Sequence, residues 1–142
     1  MPHILIVEDD RAIARIEKDY LELNGFQVTL AEDGETGRKL ALQQPFDLIL
    51  LDVMLPDISG FDVCRRIRGM GSKIGIIMLT ARGEEEDELK GFALGADEYI
   101  AKPFSLKILA ARIEAIQRRH SGAEHAAGTA GLNVDKLARE VK

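Results

Sequence analysis

The sequence predicts an α/β fold: a doubly wound sheet of five parallel strands with five helices on its two faces. Short runs rich in Ile, Leu and Val alternate five times along the chain with longer amphipathic segments, as repeated strand–helix units require. Two of these runs, at residues 4–7 and 48–51, are apolar at every position. An unbroken apolar strand is typical of a parallel sheet covered on both faces.

The predicted strands are short runs of β-forming residues that lie between turns. They cover residues 3–7, 26–31, 47–51, 73–79 and 98–101. The first helix is predicted over residues 10–24 and stops at Gly25. Four of its apolar residues share one face, which we expect to pack on the sheet; they are Ile13, Ile16, Tyr20 and Leu23.

The other four helices are predicted from their capping residues and from the residues that stop them. The second begins near Asp33 and ends before Pro45, and the third begins at Ser59 with Asp62 in the capping-box position. The fourth follows Gly83 and ends at Gly95. The fifth begins at Ser105 and carries four apolar residues at core spacing: Leu106, Leu109, Ile113 and Ile116.

The composition excludes several classes of protein. The chain has 142 residues, a net charge of −5 and 46% hydrophobic residues, which fits one soluble domain with a sizeable core. No apolar run approaches the ~20 residues of a spanning helix, so we expect no membrane partner. The lone Cys64 excludes a disulfide framework and agrees with a cytoplasmic location. The acidic balance argues against nucleic acid as a direct partner.

A change in composition predicts a domain boundary. Residues 1–119 carry the whole net negative charge, whereas 120–142 hold equal numbers of acidic and basic residues. Residues 120–131 are mostly Ala, Gly, Ser, Thr and His without a hydrophobic period, which is typical of a linker. Residues 132–142 hint at a short strand. We therefore expect a folded domain, a linker and a short further segment.

Polar residues follow the predicted strands at one edge of the sheet. Glu8, Asp9 and Asp10 follow the first strand, and Asp52 follows the third. Thr80 follows the fourth strand and Lys102 the fifth. In a doubly wound sheet the ligand site lies at the carboxyl ends of the strands. We expect these side chains to converge there, apart from Asp10, which we predict to cap the first helix.

The converging residues indicate a magnesium-dependent phosphoryl site. Carboxylates gathered at one point repel each other, and Mg²⁺ prefers such oxygen ligands. With Mg²⁺ and Lys102, the charges of Glu8, Asp9 and Asp52 are balanced, so the site can accept the oxygens of a phosphoryl group. Asp52 would be the nucleophile, since a carboxylate forms acyl phosphates. Thr80 and the amide of Ala81 would donate to the phosphoryl oxygens.

Five segments of the chain resemble the receiver domain of bacterial response regulators. They are ILIVEDD at 4–10, LLDVMLP at 50–56, MLTAR at 78–82, GADEY at 95–99 and KPF at 102–104. The similarity extends over residues 1–119 almost without gaps. It implies the flavodoxin-like receiver fold with strand order 2-1-3-4-5.

The resemblance implies a role for each site residue. Asp52 takes a phosphoryl group from the phosphohistidine of a sensor histidine kinase. Asp9, Asp52 and the carbonyl of Met54 ligate Mg²⁺, with Glu8 acting largely through water; Glu8 stands where many members have Asp. Thr80, Ala81 and Lys102 bind the phosphate, the peptide bond from Lys102 to Pro103 is cis, and Tyr99 turns inward as a switch when Thr80 moves.

The catalysis implied is limited to the chain's own phosphorylation and its slow reversal, so we expect no separate enzyme activity. Met54 and Arg82 flank the approach of an attacking water. We expect them to shield the acyl phosphate and slow its hydrolysis.

Two motifs and the tail indicate one subfamily of response regulators. Residues 82–87 and 102–105 resemble transcription regulators of the OmpR/PhoB-like subfamily, which pair a receiver with a winged-helix DNA-binding domain. Residues 131–141 resemble the opening strands of that domain. We therefore expect a truncated chain: receiver 1–119, linker 120–131 and the stub 132–142 of an effector. DNA would be contacted only through the missing effector domain.

Such receivers are expected to dimerise through the fourth helix, fifth strand and fifth helix when phosphorylated. The resemblance retains two ionic pairs between protomers, Asp97 with Arg119 and Glu98 with Arg112. Two others look lost, since Glu88 faces Ile108 and Ala93 faces Glu114. Exposed pairs contribute only ~0.2–1 kcal/mol each, so we expect a weak, phosphorylation-dependent homodimer.

Three alternative functions require residues or partners that differ from this interpretation. An aspartyl-phosphate hydrolase would need a second acid two residues after Asp52, where this chain has Met54. A flavodoxin-like nucleotide binder would need a Gly- or Ser/Thr-rich loop after the first strand, where this chain has acids. A stand-alone receiver that signals only through protein contacts stays open as the alternative function.

Overall fold

The computed structural model describes residues 2–81 and 85–126, with side chains up to Arg119. Five strands alternate with five helices, as the sequence predicts. In chain order they are β1 (His3–Val7), α1 (Arg11–Leu23), β2 (Gln27–Ala31), α2 (Gly34–Gln43), β3 (Leu48–Asp52), α3 (Gly60–Gly69), β4 (Gly75–Thr80), α4 (Glu85–Ala93), β5 (Glu98–Ala101) and α5 (Leu106–Ala126).

The strands form one parallel sheet in the order β2-β1-β3-β4-β5. The predicted fold class and the strand order implied by the resemblance are therefore confirmed. The chain runs outward from β1 in both directions, so β1 and β3 lie side by side at the point where the order reverses. In such sheets that point is where ligands bind.

The core lies in two layers, one on each face of the sheet. Side chains alternate along each central strand, as in β1, where Leu5 and Val7 pack with α2 and α3 on one face while Ile4 and Ile6 pack with α1 and α5 on the other. β3 and β4 are buried at every position. This burial on both faces explains why the central strands are continuously apolar.

Two strands end slightly later than predicted. β3 extends to Asp52 and β4 to Thr80, whereas the prediction placed both residues just beyond the strands. The parallel ladder continues because Asp52 still pairs with Leu79, and the amide of Val53 donates to the Leu79 carbonyl at 2.9 Å. The two polar residues are consequently held in the rigid sheet.

The predicted packing face of α1 is wrong. Ala14, Glu17 and Leu21 are the buried residues of this helix. Of the four predicted residues, Ile16 is 57% exposed, Leu23 is 86% exposed and Ile13 is also exposed. Only Tyr20 is half-buried against the core. A period of 3.6 residues fits both faces of this sequence. The acidic Glu17 on the buried face makes the wrong face look more apolar.

The helix ends largely follow the predicted punctuation. Asp10 caps α1, since its side chain accepts from the amides of Ala12 and Ile13. Gly25 and Gly95, after α1 and α4, have φ of 90° and 105°, a conformation that L side chains rarely adopt. These positions therefore stop their helices where the sequence indicates.

The last helix runs past the predicted domain boundary. α5 continues to Ala126, so the predicted linker at 120–131 begins as helix. Its remainder and the predicted stub at 132–142 lie outside the described residues, and the domain division stays a prediction. No helix in the described part of the chain is both long and apolar enough to cross a bilayer.

Candidate functional site

Four strands deliver polar side chains to one place at the carboxyl edge of the sheet. Asp52 and Thr80 are the last residues of β3 and β4, while Glu8 and Lys102 follow β1 and β5 directly. Glu8, Asp52 and Thr80 are buried, and the Lys102 side chain is 22% exposed. The convergence of these side chains is thus present in the structure.

Lys102 joins the two buried carboxylates. Its Nζ donates to Glu8 Oε1 at 3.0 Å and to Asp52 Oδ2 at 2.9 Å. The backbone supports this position, because the Lys102 amide donates to the Thr80 carbonyl at 2.6 Å. The peptide bond between Lys102 and Pro103 is cis, as the resemblance implies.

Glu8, Asp9 and Asp52 form a cluster of oxygen donors that fits a divalent cation. One carboxylate oxygen from each lies within 4.8 Å of the others. Asp9 is exposed, so the cluster opens to solvent on one side. Three carboxylates with a single ammonium group leave excess negative charge, which suits Mg²⁺ as a hard cation with oxygen ligands.

Met54 lies in the loop that follows the cluster. Its amide donates to Asp52 Oδ1 at 2.9 Å, and its side chain is 59% exposed. The loop folds back on β3, because the amide of Gly60 donates to the Val53 carbonyl at 2.9 Å. A Cβ at Gly60 would lie 2.2 Å from the Asp52 carbonyl oxygen, so this close return requires glycine.

The electrostatics of the site reflect burial of like charges. Burial raises the pKa of Glu8 to about 7, and the Asp52 carboxylate adds to the rise against hydrogen bonds from the Asp10 amide and Lys102. Burial alone would lower the pKa of Lys102, but its hydrogen bonds to Asp52 and Glu8 raise it above the ordinary value. The lysine is therefore held as a cation between two carboxyl groups.

Glu17 is a buried acid near this site that the sequence analysis missed. Its side chain lies on the sheet-facing side of α1, and Oε1 has no hydrogen-bond partner among the described residues. Burial raises the pKa of Glu17 to about 7, with a smaller contribution from Glu8. The sequence did contain a signal for this buried acid, because Glu17 shares one helical face with the apolar residues Ala14 and Leu21.

The predicted phosphate-binding and switch residues lie at the end of β4 and on the neighbouring β5. Thr80 is fully buried, while Ala81 directly after it is exposed. Tyr99 on β5 is buried, and its ring lies so close to α4 that a Cβ at Gly91 would be 3.1 Å from Tyr99 Cδ2. The tyrosine side chain thus faces inward.

The four predicted dimer residues are placed differently from one another. Glu98 and Arg112 form an ion pair of 3.1 Å within one chain. Asp97 accepts from Arg68 at 3.1 Å and from the Ile76 amide at 2.8 Å, and Arg119 is exposed on α5. Arg68, which also donates to the carbonyls of Gly95, Ser72 and Ile74, was not singled out from the sequence.

Comparison with known proteins assigns the family. The protein-family model for the response regulator receiver domain matches residues 4–114, and this chain belongs to that family. It is 46% identical over 121 residues to the DNA-binding dual master transcriptional regulator RpaA of Synechocystis, covering 84% of this chain and 50% of RpaA. It is 44% identical over 141 residues to the transcriptional regulatory protein CpxR of Klebsiella pneumoniae, covering 96% and 60%. Such relatives agree with the OmpR/PhoB-like subfamily.

A solved structure of similar fold was determined in complex with Mg²⁺ and BeF. The response regulator TrrA of Thermotoga maritima, solved with Mg²⁺ and BeF, superposes with a TM-score of 0.75 at 34% identity, covering 82% of this chain and 99% of TrrA. The chain spans about half to three fifths of the length of RpaA and CpxR. What those regulators do as whole proteins is accordingly carried to this chain only as a proposal.

Proposed function

We propose that this chain is the phosphorylation-activated receiver of a two-component response regulator, with Asp52 as the phosphoacceptor. The observation that carries the proposal is the contact of one ammonium group with two buried carboxylates, Lys102 with Asp52 and Glu8, beside the exposed Asp9. The donor is a sensor histidine kinase, and a cytoplasmic location belongs to the same proposal.

The transfer is a displacement at phosphorus. A carboxylate oxygen of Asp52 attacks the phosphorus of the phosphohistidine, and the O–P bond forms as the P–N bond breaks. The imidazole nitrogen leaves with the bonding electrons and takes up a proton from solvent. The hydrogen bond from the Met54 amide to Oδ1 leaves the other oxygen of Asp52 toward Lys102 and fixes the plane of the carboxylate for this attack.

The acidic cluster supplies the metal ligands. Asp9, Asp52 and the Met54 carbonyl would hold Mg²⁺, with Glu8 acting through water. When bound, Mg²⁺ supplies positive charge that offsets the cluster and the oxygens of the transferring phosphoryl group. Burial of Glu8 and Asp52 strengthens these interactions, because a low local dielectric screens charge weakly.

Lys102, Thr80 and the Ala81 amide bind the phosphoryl oxygens after transfer. Lys102 already touches Asp52, so it needs only a small shift to contact a phosphate there. Thr80 lies at the end of β4 next to β5, and its movement toward the phosphate would favour the inward position that the Tyr99 ring already occupies. This pair couples Asp52 to the face formed by α4, β5 and α5, which controls the effector and forms a weak homodimer.

DNA binding belongs to an effector domain that follows the receiver. The similarity to CpxR extends over 96% of this chain and so includes most of the tail, which supports an effector over a receiver that acts through protein contacts alone.

Phosphorylation with a small donor tests the proposed function. The chain is incubated with Mg²⁺ and acetyl phosphate, and its intact mass is recorded beside Asp52→Asn and Asp62→Asn; Asp62 is a partly exposed acid on α3, outside the acidic cluster. We expect one phosphoryl adduct in the wild type and in Asp62→Asn, and none in Asp52→Asn or with EDTA. An unmodified wild-type chain would overturn the proposal and favour a receiver that switches by contact.

A further inference from the structure

The loop from Val53 to Ser59, between β3 and α3, carries Met54, whose amide contacts Asp52 of the acidic cluster and whose carbonyl is the proposed Mg²⁺ ligand. Two hydrogen bonds fix the ends of this loop, from the Met54 amide to Asp52 Oδ1 and from the Gly60 amide to the Val53 carbonyl. Both bonds lie within the loop and its own flanking elements. A carbonyl ligand is precise only if the loop between these ends is also anchored.

Asp57 provides an anchor outside the loop. Its Oδ1 accepts from the Gly34 amide at 2.8 Å, and its Oδ2 accepts from the Glu35 amide at 2.9 Å. Both carboxylate oxygens thus bind the first turn of α2. Desolvation of the carboxyl group raises the pKa of Asp57, but these main-chain donors outweigh it and keep the pKa below its ordinary value, so the clamp is present at neutral pH.

The clamp is additional to the ordinary cap of α2. Asp33 is the N-cap, and its side chain accepts from the Thr36 amide at 2.7 Å. The helix therefore has its own capping residue, and Asp57 satisfies two further amides from a different part of the chain.

Packing at the same place holds the loop close to α2. A Cβ at Gly34 would lie 2.6 Å from Ile58 Cγ1 and 3.1 Å from Val63 Cγ2. Ile58 and Leu55 are half-buried and pack on the core layer beneath α2 and α3. The loop therefore has an apolar seat, and Asp57 supplies its directional contact.

We propose that Asp57 is a positioning residue that fixes the loop and thereby holds the Met54 carbonyl in the geometry that Mg²⁺ requires. This inference rests on the proposed function, since it assumes that the acidic cluster takes Mg²⁺. Mg²⁺ demands near-octahedral geometry, so a loosened carbonyl ligand weakens binding even when all carboxylates remain. Loss of outer-shell support of this kind typically costs 10–100-fold in metal affinity.

Calorimetric Mg²⁺ titration of the full chain tests the role of Asp57. The variants are Asp57→Ala, Asp57→Asn and the matched control Asp33→Ala, which also removes a cap of α2 but does not touch the loop. We expect the Kd for Mg²⁺ to rise roughly ten-fold in Asp57→Ala, to rise less in Asp57→Asn, which keeps one acceptor, and to stay near the wild-type value in Asp33→Ala.

Phosphorylation by acetyl phosphate gives a second readout. In Asp57→Ala the Mg²⁺ concentration for half-maximal rate should shift upward by the same factor, while the rate at saturating Mg²⁺ approaches that of the wild type. A merely structural role would change both α2 variants equally. If Asp57→Ala does not fold, as shown by circular dichroism, Asp57→Asn supplies the test.

The possible failures can be told apart. Equal Mg²⁺ affinity in the wild type and both Asp57 variants, with normal phosphorylation of the wild type, would overturn the positioning role alone. Absence of both Mg²⁺ binding and phosphorylation in the wild type would overturn the proposed function together with it.

Discussion

Glu17 shows how a single buried acid makes the stability of the protein depend on pH. The folded chain holds the pKa of Glu17 at about 7, above the value of 4.5 expected in the unfolded chain. Between these values the folded state binds more protons than the unfolded state, so stability falls as pH rises through this window and levels off above it. Each pKa unit corresponds to about 1.4 kcal/mol, which gives a loss of about 3 kcal/mol from Glu17.

We therefore expect Glu17→Gln to flatten the pH dependence of unfolding. Urea denaturation is measured without Mg²⁺ between about pH 5 and pH 8, a range set by the two pKa values. The variant should gain stability over the wild type as pH rises. Part of the fall should remain, because the pKa of Glu8 is raised in the same direction. Glu22→Gln, on the exposed side of the same helix, should leave the shape of the curve unchanged; a wild-type curve that rises toward pH 8 would contradict the argument.

Met54 offers a second test at the scale of one residue. Met54 is exposed, and its amide contacts Asp52, the proposed phosphoacceptor, so an apolar thioether at this position would exclude an attacking water. An amide there can donate to such a water and orient it, so we expect Met54→Asn to lose the phosphoryl group several-fold faster. The decay of the adduct is followed by intact mass after removal of acetyl phosphate. Met70→Asn, an exposed methionine after α3, serves as the control, and equal lifetimes in all three chains would exclude shielding by Met54.

Helix α1 shows the limit of periodicity as evidence at the scale of an element. Its sequence carries two possible inner faces one residue apart, and the more apolar one is the outer face. The sheet selects the other because Leu21 fits between the strand layer and α5, where it is completely buried. A hydrophobic period therefore identifies a helix more reliably than it identifies which side of the helix is packed.

Unfolding measurements on α1 distinguish the two faces. Leu21→Ala should lower the free energy of unfolding by about 2–5 kcal/mol, because it leaves a cavity in the core. Ile16→Ala should cost less than about 1 kcal/mol, since more than half of its side chain is already exposed. Urea denaturation gives both values, and a larger cost at Ile16 would restore the face predicted from the sequence.

For the molecule as a whole, the fold and the centre of the site were predictable for a physical reason. Parallel strands collect their carboxyl ends at one edge, so Glu8, Asp52 and Lys102 were placed together once the strands were assigned. Contacts between loops have no such rule. The bonds from Asp57 to α2 and from Arg68 to Asp97 join residues 22 to 29 positions apart, and only the packed structure brings these partners together.

The face of α4, β5 and α5 combines exposed apolar residues with ion pairs that are already formed inside one chain. Leu89, Phe92 and Ile108 are exposed there, whereas Glu98 is paired with Arg112 and Asp97 with Arg68. Forming the predicted pairs between protomers exchanges existing contacts for similar ones. The net electrostatic gain would accordingly be small, as for most exposed pairs, so the proposed dimer would depend on the apolar residues and on phosphorylation of Asp52.

We therefore expect a monomer without a phosphate mimic and a weak dimer with Mg²⁺ and beryllofluoride in sedimentation velocity. Ile108→Glu should abolish the dimer without preventing phosphorylation, because a charge replaces an exposed apolar residue of this face and Ile108 does not belong to the acidic cluster. Leu23→Glu makes the same change at an exposed position of α1 and should dimerise like the wild type. Monomers at high concentration with the mimic, or tight dimers without it, would each show that this face does not respond to Asp52. A weak dimer that forms only with the phosphate mimic requires both the apolar contact and the phosphoryl group.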